Sequence, residues 1–166
     1  MVAFVRYPDR RLVQKAVTRP LDAALRATAE RLLAATSEAQ PYGLAAAHIG
    51  EIEPVVVISV AADASQRDYR ALFNPEIVEL AGATQIGPEG SVSMPGIEAP
   101  VERPVWADIA YDTAEGARIT TRFDGFVACC ALHEIEQMNG VFFLNRLSRV
   151  KRDTAIRKFQ KLNRTS

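Results

Sequence analysis

The stretch from about Asp124 to Asn139 constrains this chain more than any other. Val127, Ala131, Leu132, Ile135 and Met138 recur at helical spacing, and as far as His133 the stretch is apolar on most sides. A helix apolar around most of its circumference has to be buried. The spacing therefore predicts a helix through the middle of the domain, stopped by Gly140, with the other elements wrapped around it. His133 and Gln137 share one face of that helix, and Phe126 and Cys130 extend the face toward its start. A histidine in such a place has to be hydrogen-bonded or bound to a metal. For a lone histidine the plain reading is a satisfied core side chain.

The flanking sequence predicts short elements. Leu21 to about Glu38 reads as a helix with Leu25, Ala29, Leu32, Leu33 and Thr36 on one stripe, ended by Pro41. Tyr42 to Gly50 reads as a tightly packed turn. Pro54 to Val60 is an apolar, β-branched run that predicts a buried strand. Tyr69 to Phe73 and Glu76 to Leu80 predict two short strands around Asn74-Pro75. Gly82 to Gly96 is rich in turn formers. Val105–Tyr111 and Ala117–Phe123 alternate as the arms of a hairpin. Ser148 caps a last helix from about Arg149 to Leu162, with Val150, Ile156, Phe159 and Leu162 packing inward.

Composition narrows the classes. The 166 residues fit one domain, residues 1–166, and twenty basic against twenty acidic side chains give no global field toward nucleic acid or a membrane. Cys129 and Cys130 are adjacent, which indicates no disulfide framework. The longest apolar stretch, Val55 to Ala62, is too short to span a bilayer, and the first ten residues do not read as a secretion signal. A soluble cytoplasmic domain is expected.

The chemistry gathers at His133-Glu134-Ile135-Glu136-Gln137. In a His-Glu-x-x-His helix both imidazoles grip a metal from one face, and the Glu takes a proton from metal-bound water. Here Gln137 stands where the second imidazole would be. Two further motifs precede it, Gly43-Leu44-Ala45-Ala46-Ala47-His48 and Glu89-Gly90-Ser91-Val92-Ser93. The three together resemble the signature motifs of peptide deformylase: Gly-φ-Ala-Ala-x-Gln, Glu-Gly-Cys-φ-Ser and His-Glu-x-Asp-His. Tyr7-Pro8-Asp9, Phe73-Asn74-Pro75-Glu76, Met94-Pro95-Gly96 and Arg146-Leu147-Ser148 resemble family segments as well, so the resemblance covers nearly the whole chain.

The resemblance implies an α+β fold, with antiparallel strands packed around a central site helix and a helix near each terminus. It implies removal of the formyl group from N-terminal methionine. The metal, iron, zinc or nickel, is held in that family by the Cys of the second motif and both His of the third. Carried over, only His133 remains of those ligands, with Ser91 and Gln137 at the other two places. Glu134 stands at the general acid/base, His48 at the glutamine beside the oxyanion, and Val92 supplies the backbone N–H there. Gly43, Leu44, Gly90, Phe126, Cys129 and Cys130 fall at the peptide pocket, and Glu98 stands where many members carry an Arg that holds the peptide.

A serine hydroxyl stays protonated and ligates poorly, and a Gln amide oxygen suits harder ions than this site takes. No tightly bound metal is expected. Two functional classes follow. One is a deformylase-like protein with little or no activity that keeps N-terminal formyl-methionyl peptides as partners. The other is an active hydrolase with a remodelled metal site of His48, His133 and Glu134 or Glu89. A nucleophile reading, Ser91 with His133 as base and Glu134 as orienter, meets a geometric objection: adjacent helical side chains splay about a hundred degrees apart. Arg149, Lys151, Arg152, Arg157, Lys158, Lys161 and Arg164 make the last helix basic. Some deformylases dock on the ribosome with such a helix, and the expectation from a charge run alone is a solvated face.

Overall fold

The computed structural model describes residues 3–164. Its helices are α1 (Ala23–Ala39), α2 (Gly125–Met138) and α3 (Arg149–Arg164). Its strands are β1 (Gly43–Ala45), β2 (Val55–Ser59), β3 (Tyr69–Leu80), β4 (Thr84–Glu89), β5 (Ala99–Pro104), β6 (Trp106–Asp112) and β7 (Arg118–Asp124). Five strands form one antiparallel sheet in the order β1-β2-β3-β6-β7, and β4 pairs with β5 in a separate ribbon.

Strand β2 explains the layering. All five of its residues are buried, so both faces need cover. Val56 and Ile58 pack with Ala128, Leu132 and Ile135 of α2. Val55 and Val57 point the other way, onto Leu25, Ala29 and Leu32 of α1. Period-2 alternation thus clamps one strand between two helices. Each large side chain buried this way contributes about 1.5–3 kcal/mol. A third cluster joins Val5 and Leu12 to Met94, Ile97, Phe142, Phe143 and Phe159, and fastens α3 and the N-terminal segment.

Ends are set by local chemistry. Asp22 caps α1 by accepting the Leu25 N–H at 2.9 Å, and Gln40 closes that helix in the left-handed region at φ 46°. Ser148 caps α3 through the Lys151 N–H at 3.3 Å.

The elements differ from the sequence reading in several places. The expected turn at Tyr42–Gly50 contains β1 followed by a single 3₁₀ turn, Ala46–Ile49. The stretch 69–80 is one strand and not two. Asn74, at φ 48°, kinks it while its amide binds the Arg19 carbonyl at 2.8 Å and Asp112 at 3.0 Å. The turn-rich segment 82–96 holds β4, which pairs through Pro88 opposite Pro100, a placement that two edge strands tolerate. On α3, Ala155 and Phe159 are the buried residues, whereas Val150 is 74% and Leu162 is 40% exposed. Leu33 of α1 likewise faces solvent.

Gly140 ends α2 at φ 82°, and a Cβ there would lie 2.7 Å from the Val13 carbonyl oxygen. Gly140→Ala therefore meets both a conformational penalty and a backbone clash. It should lower unfolding free energy by at least about 1–2 kcal/mol in urea denaturation.

Candidate active site

Helix α2, the ribbon and the β1 end of the sheet enclose a cavity of about 390 Å³. His133 and Glu134 enter it from α2, and Glu89, Gly90, Ser91 and Val92 from the end of β4 and the loop beyond. Gly43 and His48 close the floor, while Phe126, Cys129 and Cys130 supply an apolar wall. Tyr42 and Phe126 meet edge to face at 4.6 Å at the rim. Two residues expected here lie elsewhere. Leu44 is fully buried in the cluster against α1, because strand alternation turns it to the opposite face from Gly43. Gln137 does not line the cavity. Its amide donates to the Leu12 carbonyl at 2.7 Å, which ties α2 to the N-terminal segment.

The polar groups fall into two halves, one built on His133 and Glu89 and the other on His48 and Glu134. His133 Nδ1 lies 2.9 Å from Glu89 Oε1, and the ring stacks on Phe143 with centroids 5.7 Å apart. Glu89 is itself gripped by Arg103, whose Nε and Nη2 donate at 2.8 and 2.9 Å. Arg103 also donates from Nη1 to Glu136 at 2.6 Å, and Arg146 reaches the same carboxylate from outside. Arg103 is only 2% exposed, yet it carries two carboxylates. Burial alone would raise the Glu89 pKa, but Arg103 and His133 outweigh it and hold the carboxyl at about 2. Burial would likewise lower that of His133, while Glu134 and the bond to Glu89 raise it overall.

His48 and Glu134 form the other half. His48 Nδ1 accepts the Ala45 N–H at 2.9 Å, so the proton of the neutral ring sits on Nε2. Burial, then the nearby His133, push the His48 pKa down to about 3, so the ring is neutral at physiological pH. Glu134 Oε1 lies 3.7 Å from that ring, and burial pushes the carboxyl up to about 7. His48 Nε2 and Glu134 Oε1 are both buried without a protein partner. A Cβ on Gly43 would sit 2.9 Å from Glu134 Cγ and 3.0 Å from the Val57 oxygen, so only glycine leaves Glu134 its place. The Cys130 thiol is pushed far up by burial and by Glu134, which makes it an inert wall group.

Arg103 and Glu136 had no role in the sequence reading. Arg103 sits in β5, a stretch to which the sequence reading assigned no element, and ion pairs across 14 and 33 residues leave no local pattern. Glu136 carried a usable signal: it occupies the acidic position inside the third motif.

A buried His-Glu helix thus meets a strand-borne carboxylate beside an apolar hollow in an α+β fold. The polypeptide deformylase family model matches residues 1–153. A peptide deformylase-like protein of Rhizobium meliloti is 40% identical over 86% of this chain and 81% of its own length. A peptide deformylase of Mesorhizobium japonicum is 39% identical over 93% and 88%. The Ehrlichia chaffeensis peptide deformylase, solved in complex with actinonin, superposes with a TM-score of 0.90 at 28% identity, covering 99% of this chain and 98% of that one. The chain belongs to the polypeptide deformylase family, whose members are metal-dependent hydrolases.

The donors present do not match the three strong ligands of that chemistry. Ser91 offers a neutral hydroxyl, and Gln137 is turned onto Leu12. Among the described residues, no three His, Cys, Asp or Glu side chains form a metal-holding group.

Two measurements check this electrostatic frame. Arg103→Met leaves the buried Glu89 carboxylate without its guanidinium and Glu136 with Arg146 alone, and should destabilise the fold by about 3–5 kcal/mol in denaturant titration. Glu134 titrates near 7 folded against 4.5 unfolded, so between those values the folded chain holds the extra proton and loses stability as pH rises. Glu134→Gln removes that loss. Its stability relative to the parent should climb from pH 4.5 to 7, by up to about 3 kcal/mol, and then level off.

Proposed function

We propose that this protein is a peptide-deformylase-like chain, cytoplasmic, with little or no metal-dependent deformylation, that keeps its pocket for N-formyl-methionyl peptides. The observation that carries this reading is the contrast between ligands and cavity. Ser91 and Gln137 occupy two family ligand positions, while a hollow of about 390 Å³ persists beside His133 and Glu134. A formamide has one N–H donor and one carbonyl acceptor. His48 Nε2–H and the Glu134 carboxylate, both without protein partners, complement that pair. Val92, also at the cavity, offers its backbone N–H to the same carbonyl. The wall of Ile97, Phe126 and Cys129 suits an unbranched apolar side chain. Binding of actinonin by the Ehrlichia chaffeensis relative agrees with a peptide-like occupant. The cations Arg149, Lys151, Arg157 and Lys158 are exposed on α3 and support contact with a polyanion such as ribosomal RNA.

Without a metal contact, and with Glu98 in place of a cation, affinity should be no tighter than roughly micromolar. Calorimetry with formyl-Met-Ala-Ser should show binding without release of formate, and the dialysed protein should hold well under one equivalent of iron, zinc or nickel. Ser91→Cys with Gln137→His should restore metal binding, and neither change alone should do so. Near-stoichiometric metal in the parent protein would instead favour a remodelled site of His48, His133 and a carboxylate. No binding at millimolar peptide would remove the peptide reading.

A further inference from the structure

We propose that Glu98 gives this cavity a charge preference: it selects N-formyl-methionyl peptides in which lysine or arginine follows the methionine. The proposal rests on the peptide reading above and adds to it what the second residue must carry.

The cavity is graded in depth. At its floor His48 and Glu134 are 1% and 6% exposed, and on its wall Ile97 is 5% exposed. Glu98, the next residue, also lines the cavity but is open to solvent, so it stands at the mouth. Its backbone is fixed on both sides. A Cβ on Gly90 would lie 3.0 Å from the Ile97 carbonyl oxygen, and Ala99 pairs with Glu89 at the start of β5. The segment that carries Glu98 is thus seated on the loop of Gly90 and Ser91.

The carboxylate there is uncompensated. The other two acids of the cavity have company: Glu89 is gripped by Arg103 at 2.8 and 2.9 Å, and Glu134 faces His48 at the floor. Among the described residues no cation pairs with Glu98. On the sheet side of the mouth, the Arg67 guanidinium lies over the Tyr42 ring at 4.0 Å. Its Nε and Nη1 donate to the carbonyls of Gln40, Ala64 and Gln66, so it is committed where it stands. It also occupies an aromatic face on which an incoming cation would otherwise stack. A basic side chain at the mouth therefore has one partner of opposite charge, Glu98, while an acidic one is repelled by it.

The geometry of the peptide decides which residue is read. With the formamide between His48 and Glu134 and the methionine side chain against Ile97, Phe126 and Cys129, the chain leaves by the mouth. The next side chain is the first to reach Glu98. Successive side chains of an extended chain point to opposite sides. A second residue turned to the ribbon thus sends the third toward the sheet side, where Arg67 disfavours another cation. Charge order, and not net charge, sets the fit.

The test is calorimetry on the full chain with two peptides of one composition and one net charge, formyl-Met-Lys-Glu-amide and formyl-Met-Glu-Lys-amide, beside formyl-Met-Ala-Ser. Attraction in one order adds to repulsion in the other, so at about 0.01 M salt the Lys-Glu order should bind about 3- to 10-fold more tightly. The ratio should shrink toward one at about 1 M salt, where charges at the surface are screened. Glu98→Gln should collapse the ratio and Glu98→Arg should invert it, with circular dichroism showing both variants folded. Glu115→Gln removes the same charge from the exposed turn between β6 and β7 and should keep the ratio. Equal affinity for the two orders, the opposite preference in the parent, or a ratio that survives Glu98→Gln would overturn the charge preference alone, provided formyl-Met-Ala-Ser binds. Absence of binding by all three peptides at millimolar concentration would overturn the peptide reading and this proposal with it.

Discussion

The site depends on one buried guanidinium. Arg103 is the cation through which the β4–β5 ribbon is electrostatically joined to α2: it holds Glu89 on the ribbon and Glu136 on the helix at once. A buried ion pair of this kind adds little net stability against a well-packed apolar substitute, because desolvation offsets the Coulomb gain. What it fixes is position. Glu89 can face His133 only if its negative charge is compensated where it stands, and Arg103 compensates it without entering the cavity. The imidazole, the carboxylate and the loop that carries Ser91 therefore share one electrostatic anchor.

Against that anchor, the other half of the site is left unsatisfied. His48 is neutral with a buried Nε2–H, and Glu134 keeps a proton up to about pH 7. Both cost free energy in the folded chain. Groups of this sort persist where a ligand or a reaction uses them. The family's chemistry uses a metal at this place. On the reading proposed above, Ser91 and Gln137 stand at two of its ligand positions, while Gly43 still makes room for Glu134.

Much of the architecture was legible from sequence because it follows local rules. The central helix was visible in its apolar circumference, α1 in its stripe and the Pro41 that follows it, and the β6–β7 hairpin in its alternation. The three motifs located Gly43, His48, Ser91, Val92, His133 and Glu134, all of which the fold brings to one cavity. The ribbon was not legible, since Gly87 and Pro88 read as a loop until the pairing of Pro88 with Pro100 is seen. Nor could sequence show that Gln137 turns onto Leu12, 125 residues away. Leu44 was misplaced by following a motif where strand alternation decides the side. Long-range polar contacts leave no periodicity, so the partner of His133 had to come from the structure.

The separation of the two sheets has a further consequence. β1 ends the five-stranded sheet and β4 belongs to a two-stranded one, so among the described residues each keeps an edge without a strand partner. Gly43 of β1 and Gly87–Glu89 of β4 both border the cavity. Such an edge offers alternate N–H and C=O groups to any extended backbone laid beside it. On the peptide reading proposed above, an entering chain would be read along its main chain by ladder bonds before its side chains matter. Recognition of that kind is indifferent to sequence beyond the first two residues. It would give this cavity a broad clientele distinguished chiefly by what sits at the N-terminus.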